Sequence, residues 1–166
     1  MRSQFEIREA TTADLQAIAE VNVAAGQAAY EHIVGREALE TLEPNPENWT
    51  ARFSVSSGRF VATEHGEVVG FAFTGPSEGD DGVGELAYFY THPRVWGRGV
   101  GRALLAAAVE ALRADGYEEA VLWTEERNHR PRRVYEAAGW RTDGAVKDRT
   151  WLGKPIREVR YRIRLR

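Results

Sequence analysis

The chain of 166 residues contains no cysteine. That excludes disulfide scaffolds, thiolate metal sites and any reaction that passes an acyl group through an enzyme thiol. Lysine is almost missing as well: Lys147 and Lys154 are the only two, and arginine supplies the rest of the 22 basic residues. Against 25 acidic residues the formal net charge is −3, so the basic excess of a general nucleic-acid or anionic-membrane binder is absent. The arginine bias suits phosphate binding, although a GC-rich genome gives the same bias. No apolar run approaches the roughly 18 residues of a membrane span, and Met1-Arg2-Ser3 leads straight into a strand-like segment instead of an apolar targeting core. The four histidines are scattered without ligand spacing, so no metal is expected. What remains is an ordinary globular composition, 43% hydrophobic and 28% charged. It is expected to form one domain, residues 1–166, that is reduced, soluble and cytoplasmic.

Along the chain the hydrophobic period changes twice. Gln4–Arg8 alternates like a strand. Thr11-Thr12-Ala13-Asp14 opens a helix through Leu15, Ile18, Ala19, Val21 and Ala25. This helix is expected to fray near Gly26, with a second helical piece over Tyr30–Leu42 and a further turn or two over Asn48–Val55. Period two then takes over. Phe60–Thr63, a His65-Gly66 turn and Val68–Thr74 read as an antiparallel hairpin. Gly75–Gly84 is an acidic loop, and Glu85–Thr91 is an aromatic strand. Val100–Asp115 carries Leu104, Ala107, Ala108, Ala111 and Leu112 at helical spacing and stops at Gly116. Ala120–Thr124 reads as a strand, Arg130–Ala138 as a short helix, and Trp140–Val146 and Arg157–Arg164 as final strands. The last mixes a positive and an apolar face, as an edge strand would. Hairpins first and a strand-loop-helix-strand unit second imply an α+β fold, a mixed sheet with helices on its faces.

The informative stretch is Trp96-Gly97-Arg98-Gly99-Val100-Gly101-Arg102, between a strand and an amphipathic helix. Glycines there permit φ > 0 and turn several N–H groups toward one point. The first helical turn adds unpaired N–H groups and the positive end of the helix dipole. Together these make a cradle for a phosphate or pyrophosphate. The spacing is neither the dinucleotide G-x-G-x-x-G nor the Walker loop, which needs G-K-[ST] at its end.

Upstream lies Glu85-Leu86-Ala87-Tyr88-Phe89-Tyr90-Thr91-His92-Pro93. Downstream lies Asn128-His129-Arg130-Pro131-Arg132-Arg133-Val134-Tyr135-Glu136-Ala137-Ala138-Gly139-Trp140. With these three motifs, in this order, the chain resembles the GNAT superfamily of acetyl-CoA-dependent N-acetyltransferases over about Glu85–Trp140. The resemblance implies a mixed, mainly antiparallel sheet. It also implies that the backbone of Phe89, Tyr90 and Thr91 pairs with the pantetheine arm. The amides of Gly97, Arg98, Gly99, Val100, Gly101 and Arg102 would hold the pyrophosphate, Asn128 would contact the cofactor, and Tyr135 would stand near the thioester sulfur. Trp96 departs from the family's usual Gln or Arg, and Pro131 from its usual alanine.

The chemistry asks for more than a cradle. An amine must be neutral to attack a thioester, and at pH 7 only about one in 2,500 primary ammonium groups is. A base or water relay, an oxyanion stabiliser and an acid for the leaving thiolate are therefore required. Tyr135 is the candidate acid, with Arg132 or Arg133 available to lower its pKa. Glu85 is the candidate base, with Tyr88, Tyr90, His92 and His129 as rivals, and a strand N–H near Tyr90 is the oxyanion donor. Tyr30, His32 and Trp49 are candidate lining residues, and Glu78, Asp80, Asp81 and Glu85 would favour a cationic acceptor. The expected activity is acetylation of a primary amine of a small molecule. The alternatives are a CoA-binding module with a degenerate centre and a protein or peptide N-acetyltransferase. A homodimer through the C-terminal sheet edge is a further expectation drawn from the family.

Overall fold

The computed structural model describes residues 4–166, so the expectation resting on Met1-Arg2-Ser3 lies outside the described residues. Seven strands form one sheet in the order β1-β2-β3-β4-β5-β7-β6. They are β1 (Phe5–Glu9), β2 (Gly58–Glu64), β3 (Glu67–Pro76), β4 (Gly84–Thr91), β5 (Glu119–Glu125), β6 (Arg141–Trp151) and β7 (Lys154–Arg164). Every neighbouring pair of these strands is antiparallel except β4 with β5. Among the described residues five α-helices connect them: α1 (Leu15–Val34), α2 (Arg36–Leu39), α3 (Pro46–Val55), α4 (Val100–Ala114) and α5 (His129–Ala137).

Alternation along the strands sorts their side chains between two cores. On one face Ala62, Ala72, Leu86 and Leu122 pack against Leu104, Ala108 and Leu112 of α4 and Tyr135 of α5. On the other, Val61, Phe71 and Phe73 meet Leu15, Ile18 and Val21 of α1 and Trp49 of α3. The β2–β3 hairpin turns where expected: His65 and Gly66 both take positive φ, 50° and 79°, as a tight two-residue turn requires. Thr11 and Asp14 form the anticipated capping box, and Asp14 is further held by Arg8 at 2.8 Å.

Three expectations are corrected. The first helix does not fray at Gly26 but runs on to Val34 and stops at Gly35, whose φ is 89°. Gly26 is buried at the interface with Leu42, and packing there outweighs the roughly 1 kcal/mol that glycine costs a helix. The acidic loop shrinks to residues 77–83, because Gly75–Pro76 and Gly84 are paired strand residues. Asp80 within it is tied to Arg162 at 3.1 Å, which removes part of the negative charge expected to draw a cationic acceptor. Finally, β7 is not an edge strand but lies between β5 and β6. Its charged face is satisfied across the sheet: Arg160 bonds Asp143 at 2.6 Å and Arg162 bonds Glu119 at 3.0 Å. Its other face buries Tyr161.

Candidate active site

The one parallel pair among the described strands is also the shortest. β4 and β5 are joined at Gly84↔Ala120 and Glu85↔Val121 alone. Phe73 then faces Tyr88 while Thr74 faces Leu86, so Ala87 is an extra residue that bends β4 away from its neighbour. Beyond Glu85 the strands diverge, and a cavity of about 710 Å³ opens between them. Its walls come from both faces of the sheet: Phe89, Leu122 and Tyr135 on the α4–α5 side, Ala25, Tyr30 and Trp123 on the α1 side. Backbone groups that β4 turns away from β3 after Glu85 have no strand partner, so Phe89, Tyr90 and Thr91 offer an edge to an extended ligand.

At one end of the cavity stands the glycine loop. Gly97 and Gly99 have φ of 78° and 86°, and Gly99 is the left-handed residue from which α4 starts. A Cβ built on either would meet nothing within 4 Å, so no neighbouring side chain packs against the loop at these two positions. Val100 is buried beneath the loop, and Gly101 and Arg102 line the cavity. Trp96 donates its indole N–H to the Thr91 carbonyl at 3.1 Å, fastening the loop to β4. Arg98 contributes at most its main chain. Its guanidinium is turned away, bonding Glu64 at 3.0 Å and Gln4 at 2.9 Å.

Across the cavity, β5 ends in a carboxylate that is fully buried. Glu125 accepts from the backbone N–H groups of Arg127 and Arg157, both at 2.9 Å, and from the Arg127 guanidinium at 3.0 Å. Burial pushes its pKa up, but Arg127 and the two amides outweigh that and hold it below the usual carboxylate value. The bonds shape the turn that delivers Asn128, buried on the cavity wall at the start of α5. Sequence reasoning missed Glu125. Its only signal was an acid closing an otherwise apolar strand.

Two turns later in α5, Tyr135 is 5% exposed, with Phe89 and Tyr161 at 5.7 Å and 5.8 Å between ring centroids. Its hydroxyl has no hydrogen-bond partner among the described residues. Burial pushes its pKa up, and the nearby phenols of Tyr90 and Tyr30 add to the rise. The expectation that Arg132 or Arg133 would lower it is therefore corrected. Arg132 is occupied by the Tyr161 hydroxyl, at 2.9 Å, and by the Glu126 carbonyl, while Arg133 is exposed at the cavity.

Glu85 sits where β4 and β5 are still joined, at the closed end of the splay, and is not among the cavity-lining residues. It is half-buried; desolvation raises its pKa, Lys147 offsets part of the rise and Glu78 adds to it. Tyr90 and His129 line the cavity, as do Tyr30 and His32. Trp49 does not: it is 3% exposed, enclosed by Phe71, Phe73 and Tyr88. His92 accepts the Arg94 N–H through Nδ1 at 3.2 Å, and burial together with Arg94 depresses its pKa. Among the described residues no cluster of three or more His, Asp or Glu could hold a metal.

Comparison with known proteins agrees with this geometry. The family model described as "Acetyltransferase (GNAT) family" matches residues 24–140. An uncharacterized N-acetyltransferase of Bacillus subtilis, YuaI, is 35% identical over 127 residues, covering 74% of this chain and 72% of that protein. Mycothiol acetyltransferase of Thermobispora bispora is 36% identical over 88 residues, 51% of this chain but only 30% of its own length. Among solved structures, yncA of Salmonella typhimurium, determined with its cofactor acetyl-CoA, superposes with a TM-score of 0.75 at 25% identity. That superposition covers 98% of this chain and 95% of yncA. The paia N-acetyltransferase of Thermoplasma acidophilum, in complex with coenzyme A, shares the fold with a TM-score of 0.72 at 20% identity, over 93% and 97% of the two chains. Since the family match runs from α1 to the strand start after α5, the chain belongs to the acetyltransferase (GNAT) family.

Proposed function

We propose that the protein transfers the acetyl group of acetyl-CoA to a primary amine of a small molecule, by direct attack in a ternary complex. The observation that carries this reading is the cavity that threads the sheet where β4 and β5 part. It has the glycine loop at one end and a buried phenol on its wall. The residues fit the coenzyme: left-handed glycines with no side chain packed against them, followed by a 15-residue helix, suit a diphosphate. The unpaired edge of β4 suits an extended amide-bearing arm. When bound, the coenzyme supplies an electrophilic thioester carbonyl and a leaving thiolate.

The chain's own groups do the rest. Main-chain N–H groups of Gly97–Arg102 would donate hydrogen bonds to the diphosphate and so fix how far the arm reaches. The β4 edge over Phe89–Thr91 and Asn128 orient the arm, and a β4 N–H near Tyr90 stabilises the developing oxyanion. Glu85 takes the ammonium proton through a water relay from the closed end of the splay, a task suited to a carboxyl raised by burial. Tyr135 would donate its phenolic proton to the departing sulfur as the C–S bond breaks, and the surplus proton on the newly acylated nitrogen would restore the phenol.

The test is thiol release from acetyl-CoA with a panel of small amines and peptides. Turnover with a small amine supports the reading. Turnover with peptides alone refutes the acceptor class. Silence across the panel, with coenzyme A still giving heat on titration, refutes catalysis in favour of a binding module.

A further inference from the structure

Arginines stand around the cavity, and most of them are already engaged. Arg98 is held by Glu64 and Gln4, Arg94 by Glu67, Arg127 by Glu125, and Arg132 by Tyr161 and the Glu126 carbonyl. Three are not. Arg102, in the first turn of α4, and Arg130 and Arg133 on α5 line the cavity and form no ion pair or side-chain hydrogen bond among the described residues. Arg130 and Arg133 are three apart, hence on one face of α5. The intervening Arg132 is drawn away to Tyr161. The Arg130 guanidinium stacks 4.5 Å from the centre of the Trp96 ring, on the opposite wall. That stack holds a cation at the rim and reduces the entropy lost when it binds an anion.

The coenzyme carries two kinds of phosphate. The amides of the glycine loop provide for the diphosphate but are used up by it. The 3′-phosphate is a monoester of about −1.5 to −2 charge at pH 7 and needs donors of its own. Guanidinium forks are matched to such a group, and uncompensated ones in a protein of net charge −3 are placed at the mouth it must pass. Resting on the coenzyme reading, we propose that Arg130 and Arg133, with Arg102, recognise the ribose 3′-phosphate, so that the protein discriminates coenzyme A from its 3′-dephospho form. Trp96 serves this site as a positioning residue by presenting Arg130.

Calorimetric titration of the full chain with coenzyme A and with dephospho-coenzyme A tests this, with no acceptor present. Wild type is expected to bind coenzyme A about tenfold more tightly, as one charge-assisted contact pair allows, and added salt should shrink the difference. In the double variant Arg130→Gln/Arg133→Gln the preference should fall below about twofold, while affinity for the dephospho form holds. Arg94→Gln, which removes an exposed arginine paired elsewhere, should keep the wild-type preference. Both α5 arginines other than Arg132 are exposed, so the double variant should melt with wild type. Equal affinities in wild type, or a preference that survives the double substitution, overturn the proposal alone. Absence of binding by either nucleotide overturns the coenzyme reading and takes the proposal with it.

Discussion

Replacing Tyr135 with phenylalanine removes one hydroxyl and leaves the packing against Phe89, Trp140 and Tyr161 in place. In the proposed mechanism that hydroxyl supplies a proton to the leaving thiolate, and the cost to turnover follows from it. A phenol near pKa ~10 giving its proton to a thiolate near ~8.5 works uphill by about 1.5 units, or roughly 2 kcal/mol. Burial raises the phenol further and widens this gap. Transfer must therefore accompany C–S bond breaking and cannot follow release of a free thiolate. A positioned general acid is worth about 10²–10⁴ in rate, so kcat for Tyr135→Phe should fall at least about a hundredfold. KM for acetyl-CoA should be unchanged, because the contacts assigned to the coenzyme are elsewhere. Stability should also hold within about 0.5 kcal/mol, since the lost hydroxyl had no protein partner to strand. Steady-state thiol release, a thermal melt and a coenzyme A titration on the same preparation supply all three numbers. With its pKa raised, Tyr135 stays protonated across the working range, so no alkaline limb of the rate profile should belong to it. A variant that keeps kcat within about threefold, with unaltered melting, would remove the phenol from the reaction.

Other substitutions probe the remaining parts. Glu85→Gln should abolish the acidic limb of the pH–rate profile, a limb that in wild type lies above the ordinary carboxylate range because burial raises this group. A raised carboxyl stabilises the fold below its unfolded pKa and loses that contribution as pH climbs through the folded value. The glutamine variant should therefore melt no lower than wild type at pH 7. Glu125→Ala leaves two backbone N–H groups and Arg127 without their acceptor and should cost about 2–3 kcal/mol in urea denaturation. In wild type the depressed Glu125 stabilises at neutral pH and loses its contribution as pH falls through the folded value; a pH-independent denaturation midpoint across the acid range would contradict this. Gly84→Ala would bring a methyl within 2.6 Å of Leu112 and 2.8 Å of Tyr117, an overpacking worth about 1–3 kcal/mol by calorimetric melting. Gly99→Ala forces a side chain into φ of 86°, at a cost of roughly 1–2 kcal/mol. It also sets a methyl on the glycine loop, so coenzyme A affinity should drop about tenfold by titration.

What could be read from the sequence was whatever is decided locally. Leu104, Ala108 and Leu112 recur at helical period and Gly116 ends the run with φ of 92°, so α4 and its glycine loop were legible almost to the residue. The hairpin turn at His65-Gly66 was legible for the same reason. Features settled by distant partners were not. Gly26 reads as a helix breaker until Leu42 is known to pack beside it. The arginines of β7 read as a solvated face until Asp143 and Glu119 are brought alongside. Within the site, Tyr135, Asn128, the β4 edge and the glycine loop line one cavity. The engagement of Arg98 with Glu64, 34 positions away, had no trace in the local pattern. Trp49 could not be told from a cleft residue because an aromatic on an amphipathic helix carries no mark of which neighbours enclose it.

The opening between β4 and β5 pierces the sheet instead of indenting one side of it. In the proposed reaction the coenzyme enters from the glycine loop and the acceptor from the side of α1, so the two would travel separate corridors and meet only at the carbonyl. Sterics then impose no order of arrival, and the acetylated product can depart toward α1 while the spent thiol still rests on its loop. Product inhibition by coenzyme A should accordingly compete with acetyl-CoA and leave the acceptor's entry unobstructed.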